Sequence, residues 1–459
     1  VLPGDTIQQA SSVLVRLAPL VAPVMHPLHV RIHHFYVPNR LIWEDFEDFI
    51  TGGPDGNDTS AYPTIAAPPS TGFATGSLAD YLGVPPGVAD AEVSALPFRA
   101  YNFIFNEYFR DQDLVDPIVF STASGADTTT ETDLLVVPWQ RDYFTVARPW
   151  EQKGPAITLP LGTTAPVKID ENSGTVTYMT VKDGDDTDRP INSDVAQAYY
   201  DNNSPLTPNS PLFADLSNAS AANVNDLREA FALQRYEEAR ARYGSRYTEY
   251  LRYLGVKSSD ARLDRPEYFG GGRQTIQFSE VLATAEGTNT NVGDLKGHGI
   301  GAMRSNRYRR FIEEHGWIVS LISTRPKTIY SEGLQRHWNR RVKEDFHQKE
   351  LEHIGQQEIL NKEVRLAHAD PEDTFGYGDR YDEYRHQWSS IAGEFRNTLD
   401  YWHLARDFDT DPALNSDFID CVPDPRIFAD QNSDKVYCMV NHSIQARRNL
   451  SRVGNSFIR

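Results

Sequence analysis

Residues 26–53 read HPLHVRIHHFYVPNRLIWEDFEDFITGG. From Leu28 to Val37 the pattern alternates: Leu28, Val30 and Ile32 fall on one side and His29, Arg31 and His33 on the other, the period of a strand with unlike faces. Pro38 cannot donate to a ladder and Asn39 favours a turn, so the strand stops there. Leu41, Ile42, Phe46 and Phe49 then fall at helical spacing and predict a short helix.

Composition limits what any motif can mean. The 459 residues carry 45 Lys and Arg against 64 Asp and Glu, a formal net charge of −19. That is the wrong sign for a protein that coats phosphate with its whole surface, so any nucleic-acid contact must be local. Two cysteines, Cys421 and Cys438, cannot build a disulfide framework and suit a reducing cytosol. No apolar run reaches the ~20 residues of a membrane helix. VLVRLAPLVAPVM is broken by Arg16, Pro19 and Pro23 and nothing resembles a signal peptide, so the expectation is a soluble, uncleaved chain without a membrane partner.

Strand material is expected in 1–50, 315–330 and 436–450, inside one domain spanning 1–459. Trp317 to Ile322 is a short, β-branched apolar run of the buried-strand kind, and Val436 to Leu450 reads as a closing strand. Thr51 to Pro97 is mostly loop, with a short helical possibility at Ser77 to Leu82. Pro97 to Leu114, PFRAYNFIFNEYFRDQDL, presents Tyr101, Ile104, Phe105, Tyr108 and Phe109 on one helical face, read first as core and second as a base-stacking platform. Leu134 to Arg148 looks strand-like. Residues 155–211 change to Thr, Asp, Asn, Gly and Pro, with VKIDENSGTVTYMTV as a hairpin turning at ENSG, and predict an exposed surface insertion. Helical insertions are expected at 225–254, bending at Gly244, and at 335–366.

Candidate chemistry fails on spacing. His337, His347, Glu350 and His353 invite a metalloenzyme reading, but His347 and His353 are six apart and point away from each other on a helix. His29 and His33 share a strand face with Arg31 between them, and a cation beside the ligands disfavours a metal. Asp183, Asp185, Asp186 and Asp188 crowd like a calcium loop without its Gly and terminal Glu; they read first as a solvated acidic turn, second as an ion site. Gly270, Gly271 and Gly272 lack the Gly-Lys-Ser that would follow in a phosphate loop and read as a structural turn. Without a surviving catalytic constellation, the residues describe an interaction protein built on a β-sandwich, not an enzyme.

VLPGD at the start, VPNRLIWEDFEDF, PFRAYNFIFNEYFRDQDL, VKSSDARLDRPEYFGGGRQTIQFSEVLATA and FGYGDRYDEYRHQWSSIAGEFRNTLDYWHLARDF together resemble the major capsid protein of microviruses, the tailless single-stranded DNA phages, in their gokushovirus-like branch. The resemblance implies a mainly β fold, an eight-stranded antiparallel jelly roll with long loops and helical insertions. It also implies a structural subunit that closes a small T=1 icosahedral shell around circular single-stranded DNA in the host cytoplasm, and 155–211 as a projection of that shell. Implied partners are further copies of the chain, the packaged DNA, a small basic DNA-binding virion protein, a scaffolding protein and a host receptor. No cofactor is implied beyond a structural divalent ion. Arg304, Arg307, Arg309 and Arg310, with Tyr308 among them, and the terminal Arg447, Arg448 and Arg452 are the candidate nucleic-acid contacts, with contacts between subunits as the competing use. The alternative is a cellular cupin-like protein that binds a metal or a carbohydrate.

Overall fold

The structure, a computed structural model, describes residues 1–155, 224–244, 246–284 and 291–448, with Ile157, Glu286 and the backbone of four three-residue strands between 167 and 214. The chain divides into two compact units, Val1–Lys153 with Glu238–Arg459, and Gly154–Glu237. Within the second unit Val167–Ile169 pairs with Leu212–Ala214, and Thr180–Lys182 with Asp188–Pro190. The expected hairpin turning at ENSG lies outside the described residues.

Eight strands form the two largest sheets of the first unit: β1 Thr6–Leu17, β2 Leu28–Pro38, β3 Glu267–Thr275, β4 Gln277–Leu282, β5 Leu295–Arg304, β6 Tyr308–Phe311, β7 Gly316–Pro326 and β8 Val436–Arg447. Both sheets are antiparallel. In one, β8 pairs with β1 along its whole length, Thr6 opposite Arg447 to Leu17 opposite Val436. The other edge of β1 is shared: β6 takes residues 6–9, β5 takes residues 12–16, and β4 lies outside β5. Ser305 closes the gap between β5 and β6, its backbone N donating to Ser11 O and its Oγ accepting from Ser11 N, both at 2.8 Å. The two are one interrupted strand. The other sheet runs β7-β2-β3.

The sheets pack face to face because their inward residues are apolar. Val13, Val15 and Leu17 of β1 and Met303 of β5 meet Leu28, Val30 and Ile32 of β2, every one of them buried. Each fully buried side chain of this size is worth about 1.5–3 kcal/mol. Ile276 sits at the corner between β3 and β4, donating its N–H to Leu28 O at 2.8 Å, and there the chain crosses from one sheet to the other. The three glycines are neither turn nor phosphate loop; they lie inside β3. Gly270 takes φ +112° where the register shifts between His34 and Phe35, and a Cβ on Gly271 would stand 2.0 Å from Ile32 O.

Between β2 and β3, the helices α1 Phe46–Thr51 and α2 Leu96–Ile104 cover one end of the sandwich. Leu96, Ala100 and Ile104 of α2 bury against Phe35, Val37, Trp43 and Val319. Arg99 on the same helix is fully buried, pairing with Asp127 at 2.8 Å and donating to the carbonyls of Ile42 and Ala123. The aromatic run is thus core through Tyr101, Ile104 and Phe105, while Tyr108 and Phe109 are only partly buried. Farther on, α3 Val224–Tyr243 and α4 Tyr247–Tyr253 part at Gly244, which has φ +95°. Phe231, Tyr243 and Tyr247 on these helices are exposed.

Two expectations need correction. With 27% strand and 23% helix, the molecule is mixed instead of mainly β. Residues 335–366 do not form one continuous helix: tight turns at Arg336–Asn339, Lys343–Asp345 and Lys349–Leu351 lead into a strand, Gln356–Leu360, that pairs with Thr374–Asp379, and only the four residues Asn361–Val364 are α-helical. Trp338, Val342 and Phe346 have helical spacing but are all exposed, so no buried face rewards a helix, and Gly355 with φ +55° ends the segment. Leu134 to Arg148 contributes only single bridges, Pro138 to Asp420 and Arg148 to Tyr377, and buries Tyr143 and Phe144 in a separate core with Ile359, Phe375 and Phe418.

The two faces of β2 make opposite predictions. Ile32→Ala should cost about 2–5 kcal/mol of unfolding free energy, whereas Arg31→Ala, one residue away on the other face, should leave stability unchanged or raise it. Urea midpoints of the two variants check this; equal losses would contradict the assigned faces.

Candidate nucleic-acid interface

The outward face of the β7-β2-β3 sheet carries a concentration of cations. Register puts Arg31 opposite Arg273 of β3 and Ser323 of β7, and puts His29 opposite Thr275 and Arg325. Three guanidinium groups from three strands therefore share one face, since residues directly opposite in a sheet point the same way. The turn after α2 and the segment around Trp139 wall this face into a cleft of about 500 Å³. Arg31, Arg110, Arg141, Arg246 and Arg325 line it, with the rings of His33, Phe35, Tyr108, Phe109, Trp139 and Tyr268, and no Asp or Glu is among its lining residues.

Local packing holds these groups in place. Arg325 donates to Pro138 O at 2.9 Å, Arg110 to Val115 O at 2.7 Å, and Arg246 to the carbonyls of Asn106 and Arg110 at 2.7 and 3.0 Å. Tyr108 donates to Pro266 O at 2.6 Å and carries Arg265 over its ring at 4.6 Å. Phe35, Tyr108 and Tyr268 form a cluster with centroids 4.8–6.4 Å apart. Carbonyls satisfy hydrogen bonds without cancelling charge. Among the described residues, Arg31, Arg110, Arg141, Arg273 and Arg325 have no carboxylate within ion-pair distance.

The electrostatic cost of this arrangement is visible in the protonation equilibria. Burial first, and the neighbouring guanidinium groups second, lower the pKa of Arg31 and Arg325. Burial likewise lowers His29, with Arg273 and Arg31 adding to it, and brings His33 to about 4, with Arg325 and Arg31 adding to it. His33 Nε2 is buried and has no hydrogen-bond partner among the described residues, while its Nδ1 lies 3.3 Å from Tyr268 Oη. An anion in the cleft would relieve the repulsion among the arginines.

Comparison with known proteins tells what kind of molecule carries this cleft. The family model described as capsid protein (F protein) matches residues 1–458. The chain belongs to that family of phage capsid proteins. It is 37% identical over 442 residues to capsid protein VP1 of Bdellovibrio phage phiMH2K, covering 92% of this chain and 83% of the relative. To capsid protein VP1 of Chlamydia phage 1 it is 32% identical over 504 residues, with 91% and 84% covered, and to that of Spiroplasma virus 4 it is 32% identical over 457 residues, with 91% and 82% covered. It is a major capsid protein of the microvirus type, a structural component of the virion and not an enzyme.

In this capsid protein the arginines singled out from sequence lie elsewhere, on the sheet built around β1. Arg304, opposite Ser12, Arg309, opposite Gln8, and Arg447, opposite Thr6, share its outward face with Arg16 and are exposed. Segments more than a hundred residues apart are thus brought into one patch. Arg310 lies on the opposite face of its strand, its guanidinium 5.7 Å from the ring centroid of Phe269, and Arg307 is exposed in the connection before β6. Tyr308 is not an exposed ring: it is buried and donates to Gln9 Oε1 at 2.6 Å. Arg448 is held by the buried carboxylate of Asp5 at 3.1 Å. Arg452 and Asp183, Asp185 and Asp186 lie outside the described residues, as does the side chain of Asp188. Among the described residues no three His, Cys, Asp or Glu side chains converge as a metal site would need.

The cleft arginines were not singled out from sequence, although Arg31 was placed on the correct face. What was missing is register, which alone sets Arg273 and Arg325 beside it.

A pH prediction follows from the histidines. His26, His33 and His34 all stand at about 4, burial being the largest cause in each, so the fold holds them neutral. Between the ordinary value near 6.5 and about 4, the unfolded chain takes up protons that the folded chain refuses. Stability should therefore fall as pH drops through that window. His33→Gln should flatten the pH dependence of the urea midpoint between pH 6.5 and 4; an unchanged slope would show that His33 titrates normally in the fold.

Proposed function

We propose that the subunit closes a T=1 icosahedral shell around circular single-stranded DNA and that the arginine and aromatic cleft on the outward face of β7-β2-β3 receives a stretch of that DNA. The observation that carries this reading is a carboxylate-free cleft of five arginines in a chain whose net charge is −19. Phosphates would release counter-ions at the guanidinium groups, and bases would stack on the exposed ring of Tyr268, a combination tolerant of sequence. The two facing sheets are read as the family's jelly roll, with 39–266 and 327–435 as its insertions. The separate unit Gly154–Glu237 contains the expected surface projection, residues 155–211, and is the natural place to meet a host receptor. A small basic virion protein would neutralise the genome that an acidic subunit cannot, and a scaffolding protein would guide assembly. No helix among the described residues is long and apolar enough to cross a membrane.

The patch of Arg304, Arg309 and Arg447 is the second reading for the DNA contact, favoured by its exposure and by the lack of carboxylate partners among the described residues. Titration of a labelled oligothymidylate against the purified subunit separates the two. Each phosphate held should contribute about −0.7 to the slope of log K against log salt. Arg31→Ala with Arg325→Ala should weaken binding at least tenfold and make that slope shallower, while Arg304→Ala with Arg447→Ala should change it less than threefold. The reverse ranking would move the DNA contact to the β1 sheet.

A further inference from the structure

Strand β8 is the outermost strand of its sheet. It pairs with β1 over its full length without a bulge, and among the described residues nothing pairs with its other edge. All twelve of its residues are exposed, including Tyr437, Met439 and Ile444 at 52%, 66% and 56%. A long, flat, apolar edge is a template for another strand, and proteins that leave one free blunt it with proline, a bulge or inward charges. VYCMVNHSIQAR has none of these and a single formal charge, Arg447.

The phase of the edge can be derived. Ala18 N donates to Lys435 O at 2.9 Å, so the residue pairs bonded to β1 include Lys435 and every second residue after it. Val436, Cys438, Val440, His442, Ile444 and Ala446 therefore direct their N–H and C=O groups outward. We propose that this edge pairs antiparallel with the β8 of a second copy across a two-fold axis, with His442 opposite His442. Parity excludes the full-length overlap, Val436 opposite Arg447, because it would set an outward-bonding residue against an inward-bonding one. Two registers close to full overlap remain. With Asn441 on the axis, Arg447 would face Lys435 and repel it. With His442 on the axis, Arg447 faces the ring of Tyr437, Val440 faces Ile444 and Cys438 faces Ala446, leaving no like charges opposed. The occupant is a second copy because a capsid protein assembles with itself and the edge is complementary to itself in charge and in hydrogen-bond phase.

Cross-linking within assembled particles tests this. In a Cys438→Ser background, His442→Cys places two thiols directly opposite each other, at the ~5.5 Å Cα separation of a bonded pair, inside the range a disulfide spans. Mild oxidation should convert most of the monomer into dimer on a non-reducing gel. Because His442 Nδ1 lies 2.7 Å from Ser11 Oγ and its loss can disturb the sheet, the pair Val440→Cys with Ile444→Cys serves as a second probe and should dimerise to the same extent. Particles that form normally yet yield only monomer with both probes would overturn the proposal. Dimers that appear only after residues 449–459 are deleted would also overturn it, assigning the edge to the chain's own tail.

Discussion

The register of β2 is the constraint on which the rest of this subunit depends. Its side chains alternate between two environments that cannot be exchanged: Val30 and Ile32 face the other sheet in a dry core, and Arg31 and His33 face a cleft lined with guanidinium groups. A slip of one residue would carry Arg31 into the core and Ile32 into the cleft, and a buried unpaired charge costs far more than the ladder could return. β2 is also the middle strand of its sheet, so the same register fixes Arg273 on one side and Arg325 on the other. One periodicity therefore sets the hydrophobic core and the charge of the opposite face.

Crowding cations would be self-defeating if nothing opposed it. The backbone carbonyls of Pro138, Val115, Asn106 and Arg110 orient the arginines without neutralising them, and burial keeps His33 and His34 uncharged. Contrast Arg99, which is fully buried and needs both Asp127 and two carbonyls to be tolerated there. Carboxylates accompany arginine where the fold requires a structural ion pair and are absent from the cleft. The net charge of −19 keeps nonspecific attraction to phosphate low, so a polyanion is attracted only where cations are concentrated.

The β1 sheet is organised by a different economy, one strand with two edges serving three partners. β5 and β6 share one edge because Ser305 bridges to Ser11 between them, and β8 covers the whole of the other. As a consequence, among the described residues the sheet ends at β8 with an unpaired edge, a feature that would be hazardous in a monomer and suits a protein whose function is to assemble.

Alternation along 28–37 was legible as a strand because a half-buried strand must alternate; the apolar runs at 317–322 and 436–450 were legible as strands too, but both lie at sheet edges, with Trp317 and Ile322 exposed, so apolar content did not mark a buried central strand. The aromatic face starting at Pro97 was legible as core, and is core through Phe105, because a helix that buries one face repeats its apolar residues every three to four positions. Residues 335–366 misled because Trp338, Val342 and Phe346 carry helical spacing with nothing to bury them, and spacing does not reveal whether a partner surface exists. Family membership too was written in the chain, in motifs spread from its start to its end. The sequence by itself determined which residues could face a core and that any phosphate contact must be local. Only the tertiary structure decided which cations meet, because register joins Arg31 to Arg273 and Arg325 across 242 and 294 residues of chain and no linear pattern carries that pairing.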